Sequence, residues 1–76
     1  MEKNVEKENA LIQIGLKIRE LRKEKNMSIQ YLSDQLNIEY NNLIRIEKGR
    51  TNFTIGTLLK VAKALDTTLH ELLTNI

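Results

Sequence analysis

The short connection between two amphipathic segments is the strongest constraint on the fold. The first segment spans residues 29–36 and the second begins at Tyr40, so only Asn37, Ile38 and Glu39 lie between them. Apolar residues recur at helical spacing in both segments, and Asn37 tolerates the positive φ of a tight turn. Two helices joined this closely must meet at a steep angle, which apolar side chains have to fill. The residues that meet this need are Leu32, Leu36, Ile38, Leu43 and Ile46.

The composition favours a small all-α domain. The 76 residues include no cysteine and one histidine, which excludes disulfides and a zinc site, and no cofactor is indicated. Proline is absent and glycine is scarce, as expected for a helical chain. A chain of this length forms one domain with a small core. Its stability must therefore come from well-packed helices or from a partner subunit.

Periodicity and capping residues predict five helices. Residues 1–9 are interpreted as a polar N-terminal arm and residues 10–76 as a single domain, with two helices and their turn at 28–48. The predicted helices span about 9–25, 29–36, 40–48 and 55–65, and a fifth begins at the capping box of Thr68 and Glu71. The fourth helix is expected to turn five residues inward: Ile55, Leu58, Leu59, Ala62 and Leu65.

The third predicted helix carries few of the long charges that usually solvate a helix. Tyr40, Asn41, Asn42 and Arg45 lie away from its apolar stripe. Asparagine pairs bidentately with adenine and arginine with guanine, so these residue types are suited to the edges of bases. The net charge is only +2, but the basic excess lies within residues 17–50, around this helix. The pattern indicates a contact surface, and DNA is one partner that these residue types suit. In a helical protein taken at random, a solvated polar turn would be the usual interpretation of Asn41 and Asn42.

The stretch from Ile14 to Leu65 resembles the Cro/C1-type (XRE family) helix-turn-helix domain. The motifs that carry the resemblance are IRELRKEKNMS, LIRIEKG and TLLKVAKAL. The resemblance implies a compact, lambda-repressor-like DNA-binding domain of five helices, as in phage repressors. The loop RTNFT is also similar to that of restriction–modification controller proteins.

The resemblance further implies a transcriptional regulator, such as a repressor, that binds a palindromic operator as a homodimer through its third helix. By this resemblance Tyr40, Asn41 and Arg45 contact bases in double-stranded DNA. The implied phosphate contacts are Ser28, Gln30, Asn42, Lys48, Arg50, Thr51 and Asn52. The chain departs from the family at Ile29, where glutamine is frequent, and at Glu39, where a Ser or Thr cap is usual.

Two structural roles also follow from the resemblance. Arg22 and Glu47 occupy the positions of an ion pair between the first and third helices. A homodimer needs a self-complementary surface, and the apolar C-terminal segment is one candidate for it. The residues concerned are Leu69, Leu72, Leu73 and Ile76, and the region Val5–Leu16 is the rival candidate.

A second class of function stays open, namely a helix-turn-helix protein-interaction module, either antitoxin-like or binding another regulator. An enzyme is not expected, because the chain lacks a nucleophile–base pair, a metal-binding set and a phosphate-binding loop. No apolar run approaches the length of a membrane span, and no signal segment is evident. We therefore expect a cytoplasmic protein without a membrane partner. No small-molecule effector is evident.

Overall fold

The computed structural model describes residues 5–74, and it contains no β-strand in that range. Its helices are α1 (Val5–Glu24), α2 (Ile29–Leu36), α3 (Tyr40–Glu47), α4 (Ile55–Ala64) and α5 (Leu69–Leu73). The predicted all-α fold of five helices is therefore confirmed. α1 begins earlier than the predicted start near Asn9, because the Glu and Lys residues that precede Asn9 are good helix formers. Residues 1–4 of the predicted arm lie outside the described residues.

Each of the first four helices ends in the same backbone reversal. A residue with φ between 56° and 71° follows each of them, namely Asn26, Asn37, Gly49 and Asp66. After α2, for example, the Asn37 N–H donates to the Asp34 carbonyl at 3.1 Å and the Ile38 N–H to the Ser33 carbonyl at 3.0 Å. The same pair of bonds closes the other three ends. This is the Schellman motif, which satisfies the last carbonyls of a helix while the chain turns away.

α3 begins differently from the three helices that have a hydroxyl cap. The side chains of Ser28, Thr54 and Thr68 each accept a hydrogen bond, at 3.0 Å, from the backbone N–H three residues further on. Glu39 occupies the corresponding position before α3, and its side chain makes no capping bond. The start of α3 therefore lacks the roughly 0.5–2 kcal/mol that a side-chain cap contributes.

Side chains from all five helices form one core. Its buried apolar residues are Ile14, Ile18, Leu32, Leu36, Leu43, Ile46, Leu58, Val61, Ala62, Leu65 and Leu72. The prediction for α4 is wrong at two positions, because Ile55 is 60% exposed and Leu59 is 50% exposed. Val61 is buried instead. Both sets of residues have helical spacing, so the rotation of α4 is decided by its packing against α2 and α5.

Candidate nucleic-acid interface

One side of α3 is polar and exposed to solvent. Tyr40, Asn41, Arg45 and Lys48 lie on this side, and we call these four residues the α3 polar face. Asn41 and Arg45 are neighbours because they are separated by one helical turn, and Lys48 follows Arg45 at the next turn. The opposite side holds the helix in the domain through the buried residues Leu43, Ile46 and Glu47.

A buried ion pair on the opposite side of α3 fixes the orientation of the α3 polar face. The Arg22 Nε donates to Glu47 Oε2 at 2.7 Å, and its Nη2 donates to Oε1 at 3.2 Å. The third nitrogen, Nη1, donates to the backbone carbonyl of Met27 at 2.8 Å. This geometry matches the pair that the sequence resemblance implies. The bidentate contact joins the end of α1 to the end of α3 and fixes the orientation of both side chains.

The start of α2 presents two of the predicted phosphate-contacting residues. Ser28 and Gln30 are exposed. The Ser28 hydroxyl already accepts from the Tyr31 N–H, but its own proton remains available for donation. The Gln30 amide donates to Asp34 Oδ1 at 2.9 Å, which leaves it a second N–H. Ile29, between them, packs against the core, and its side chain has no polar group.

The remaining predicted phosphate contacts follow or flank α3. Asn42 is half-buried in the first turn, whereas Lys48, Arg50 and Asn52 are exposed and Thr51 is half-buried. The loop turns away from α3 at Gly49, and the Arg50 N–H closes the helix end on the Arg45 carbonyl at 2.9 Å. These residues therefore belong either to the first turn of α3 or to the segment that directly follows the helix.

The predicted dimer contacts divide into several environments. Leu73 is 38% exposed and Leu69 is half-buried, and Ile76 lies outside the described residues. The prediction is wrong for Leu72. Its side chain is 1% exposed and belongs to the core of its own chain, so it has no free surface for a partner subunit. In the rival region, Ile12 and Leu16 are exposed.

Sequence reasoning missed the placement of three exposed side chains. Ile55 and Leu59 lie one turn apart on α4, and periodicity alone assigned them to the core. Arg19 lines a groove with Lys48, although the two are far apart in the sequence. The sequence contains no local signal for these placements, since they depend on how helices pack.

The residues from Val5 to Thr74 contain neither a candidate metal site nor a candidate membrane-spanning helix. No group of three His, Cys, Asp or Glu side chains is placed to hold a metal ion. Over the same residues, no helix combines the length and apolar character needed to cross a bilayer.

The short helix α2, the tight turn at residues 37–39 and the exposed polar helix α3 form a helix-turn-helix unit. The family comparison agrees, since the family model described as Helix-turn-helix (HTH_3) matches residues 18–72. The chain therefore belongs to the HTH_3 family of DNA-binding transcriptional regulators, which confirms the resemblance to the Cro/C1 type. Proteins of this family and the similar structures below are regulators rather than enzymes.

Solved structures similar to this chain include three that are 32% to 38% identical to it over the matched region. The restriction–modification controller protein C.AhdI from Aeromonas hydrophila is 32% identical, with a TM-score of 0.78, over 82% of this chain and 94% of that one. The biofilm master regulator SinR, solved in complex with DNA, is 38% identical, with a TM-score of 0.73, over 79% and 97%. In a SinR–SinI protein complex, the match is 36% identical and covers 82% of this chain and 61% of that one. No curated protein matches the sequence.

Proposed function

We propose that this protein regulates transcription by binding a palindromic operator as a homodimer, with α3 in the major groove. The α3 polar face carries the proposal, because its exposed side chains stand on a helix that is fixed by a buried ion pair. The major groove of B-DNA admits one α-helix, and residues on the first turns of that helix reach base edges. The similar protein SinR has been solved in complex with DNA, which supports the same target here.

Three residues of the α3 polar face are proposed to read bases. Asn41 is suited to adenine and Arg45 to guanine, each through two parallel hydrogen bonds. Tyr40 is 46% exposed and presents both a ring for a thymine methyl group and a hydroxyl. Each bidentate contact discriminates against a wrong base by about 1–3 kcal/mol.

The flanking polar residues are proposed to bind the DNA backbone. Contacts of this kind position the protein and make binding depend on salt, because each neutralised phosphate releases counterions. The residues assigned to this role are Ser28, Gln30, Asn42, Lys48, Arg50, Thr51 and Asn52. Since DNA is the target, we place the protein in the cytoplasm.

The second copy is proposed to pack against exposed apolar residues of α4 and α5. Ile55 and Leu59 are one turn apart on α4, Leu73 is exposed on α5, and the two helices are in contact. An interface on α4 would lie beside the loop that follows α3, which suits two α3 helices placed in successive major grooves. Such grooves are about one helical turn, or roughly 34 Å, apart.

Selection of bound sequences from a random double-stranded DNA pool tests this function directly. We expect an enriched motif with two inverted half-sites about one helical turn apart. A protein bound to an operator within a promoter would block polymerase. Repression is therefore the expected effect on a promoter that contains the motif. If no sequence is enriched, the DNA-reading proposal is wrong and the protein-interaction module becomes the better hypothesis.

A further inference from the structure

A groove with unpaired positive charge lies beside the α3 polar face. It runs between α1, the start of α2 and α3, and has a volume of about 220 Å³. That is several times the roughly 30 Å³ occupied by a water molecule. We call it the Arg19 groove, and its lining residues are Arg19, Arg22, Ile29, Ile44, Glu47 and Lys48.

Two of the three basic residues in the Arg19 groove are free to bind a ligand. Arg22 is 8% exposed, and its charge is matched by the two hydrogen bonds to Glu47. Arg19 and Lys48 are exposed, and between Val5 and Thr74 neither side chain has an ion pair or hydrogen bond within the chain. Glu47 is 6% exposed and already bonded, so it is not positioned to neutralise them. The groove therefore keeps an excess of two positive charges.

The position of the groove identifies the kind of anion it suits. Lys48 belongs to both the groove and the α3 polar face, so whatever lies over that face also borders the groove. Ile29 lines the groove at the start of α2, where the family frequently has a glutamine, and it supplies no polar side chain. A helix start still offers backbone N–H groups and a positive dipole end. Position 29 itself supplies no side-chain donor for an anion, and Arg19 of α1 lines the same groove.

We propose that the Arg19 groove binds one phosphate of the DNA backbone in each half-site, with Arg19 as its main side-chain ligand. This proposal rests on the proposed function, since it assumes that α3 enters the major groove. Arg19 then takes over a backbone contact that the side chain at position 29 is unable to make. The guanidinium suits this task because its N–H groups match phosphate oxygens in pairs.

Methylphosphonate substitution, which removes the charge of one phosphate at a time, tests the contact. The probe is the DNA site selected from the random pool, scanned phosphate by phosphate against the parent protein and Arg19→Ala. We expect at least one phosphate in each half-site where substitution weakens the parent but has no further effect on Arg19→Ala. The other sensitive phosphates should stay sensitive in both proteins. The slope of log K against log salt should also become shallower by about 1 in Arg19→Ala for each half-site bound.

Lys60→Ala is the matched control, because it removes the same charge from an exposed residue that lines a different groove with Gln35 and Lys63. It should leave both the scan and the salt slope of the parent unchanged. If Arg19→Ala weakens binding but retains every sensitive phosphate of the parent, Arg19 acts only through its long-range field and the contact is disproved. If the parent itself binds no DNA, the proposed function fails as a whole. A parent that binds normally while Arg19→Ala matches it in affinity overturns this inference alone.

Discussion

Gly15 of α1 lies against the backbone of Glu47 in α3. A Cβ atom at Gly15 would stand 2.5 Å from the carbonyl oxygen of Glu47 and equally close to that of Ile46. Real Cβ atoms do not approach backbone oxygens this closely, so any side chain here would push the two helices apart. The close crossing also brings α1 near enough for Arg22 to reach Glu47.

Gly15→Ala should destabilise the fold although alanine is the better helix former. The gain in helix propensity is about 1 kcal/mol, but overpacking typically costs about 1–3 kcal/mol and here the obstacle is backbone. We expect a net loss in the free energy of unfolding, measured by urea denaturation. Gly56→Ala is the matched control, since its Cβ would meet only the Thr54 hydroxyl oxygen at 3.6 Å. It should gain roughly 0.5–1 kcal/mol. Equal effects at both glycines would contradict the close approach.

Glu47→Gln should be far more damaging than the loss of a surface charge. The substitution keeps the shape but leaves the buried Arg22 guanidinium without its counter-charge, which typically costs about 3–5 kcal/mol. The comparison is Glu71→Gln, which removes the charge of the partly exposed pair with Lys17 at 3.8 Å. An exposed pair contributes less than about 1 kcal/mol. Thermal unfolding of both variants measures the difference, and similar melting temperatures would argue against a structural role for the Arg22–Glu47 pair.

Arg45→Ala and Lys48→Ala should separate base reading from backbone binding. Loss of Arg45 should relax the preference at one base pair of each half-site, by about 1–3 kcal/mol, without changing the fold. Loss of Lys48 should weaken binding to all sequences and make the salt slope shallower by about 1 per contact. Repeating the DNA selection with each variant measures the first effect, and titrations at several salt concentrations measure the second. An unchanged motif with Arg45→Ala would refute its assignment to a base.

Leu59→Lys should convert the proposed homodimer to a monomer if α4 forms its interface. Leu59 and Leu16 are each 50% exposed, so Leu16→Lys is a matched control on the rival surface of α1. Neither side chain is in the buried core, so both variants should remain helical by circular dichroism. Sedimentation of the two proteins decides between the surfaces. Dissociation by Leu16→Lys alone would move the interface to α1.

Local signals in the sequence were sufficient for most of the fold. The capping hydroxyls of Ser28 and Thr54 mark helix starts, and Asn37 marks a helix end because it tolerates positive φ. α2 therefore has the predicted bounds, and α4 has the predicted start. The direction of the buried face is harder to predict on α4, because apolar residues occur on more than one side of this helix. Ile55 and Val61 both fit an apolar stripe there, and only contact with the neighbouring helices selects Val61 for the core. Arg19 went unnoticed for a similar reason, since its relation to Lys48 exists only after α1 packs on α3.

The Schellman motifs that end α1 to α4 have a thermodynamic consequence. Their hydrogen bonds lie within the chain, so the course of the backbone before and after α3 is set before any ligand arrives. Ordering the backbone should then cost little free energy when the protein binds DNA. The main ordering cost should come from immobilising side chains such as Arg45. The heat-capacity change of association should accordingly reflect the area buried against DNA, without the additional contribution that accompanies folding upon binding.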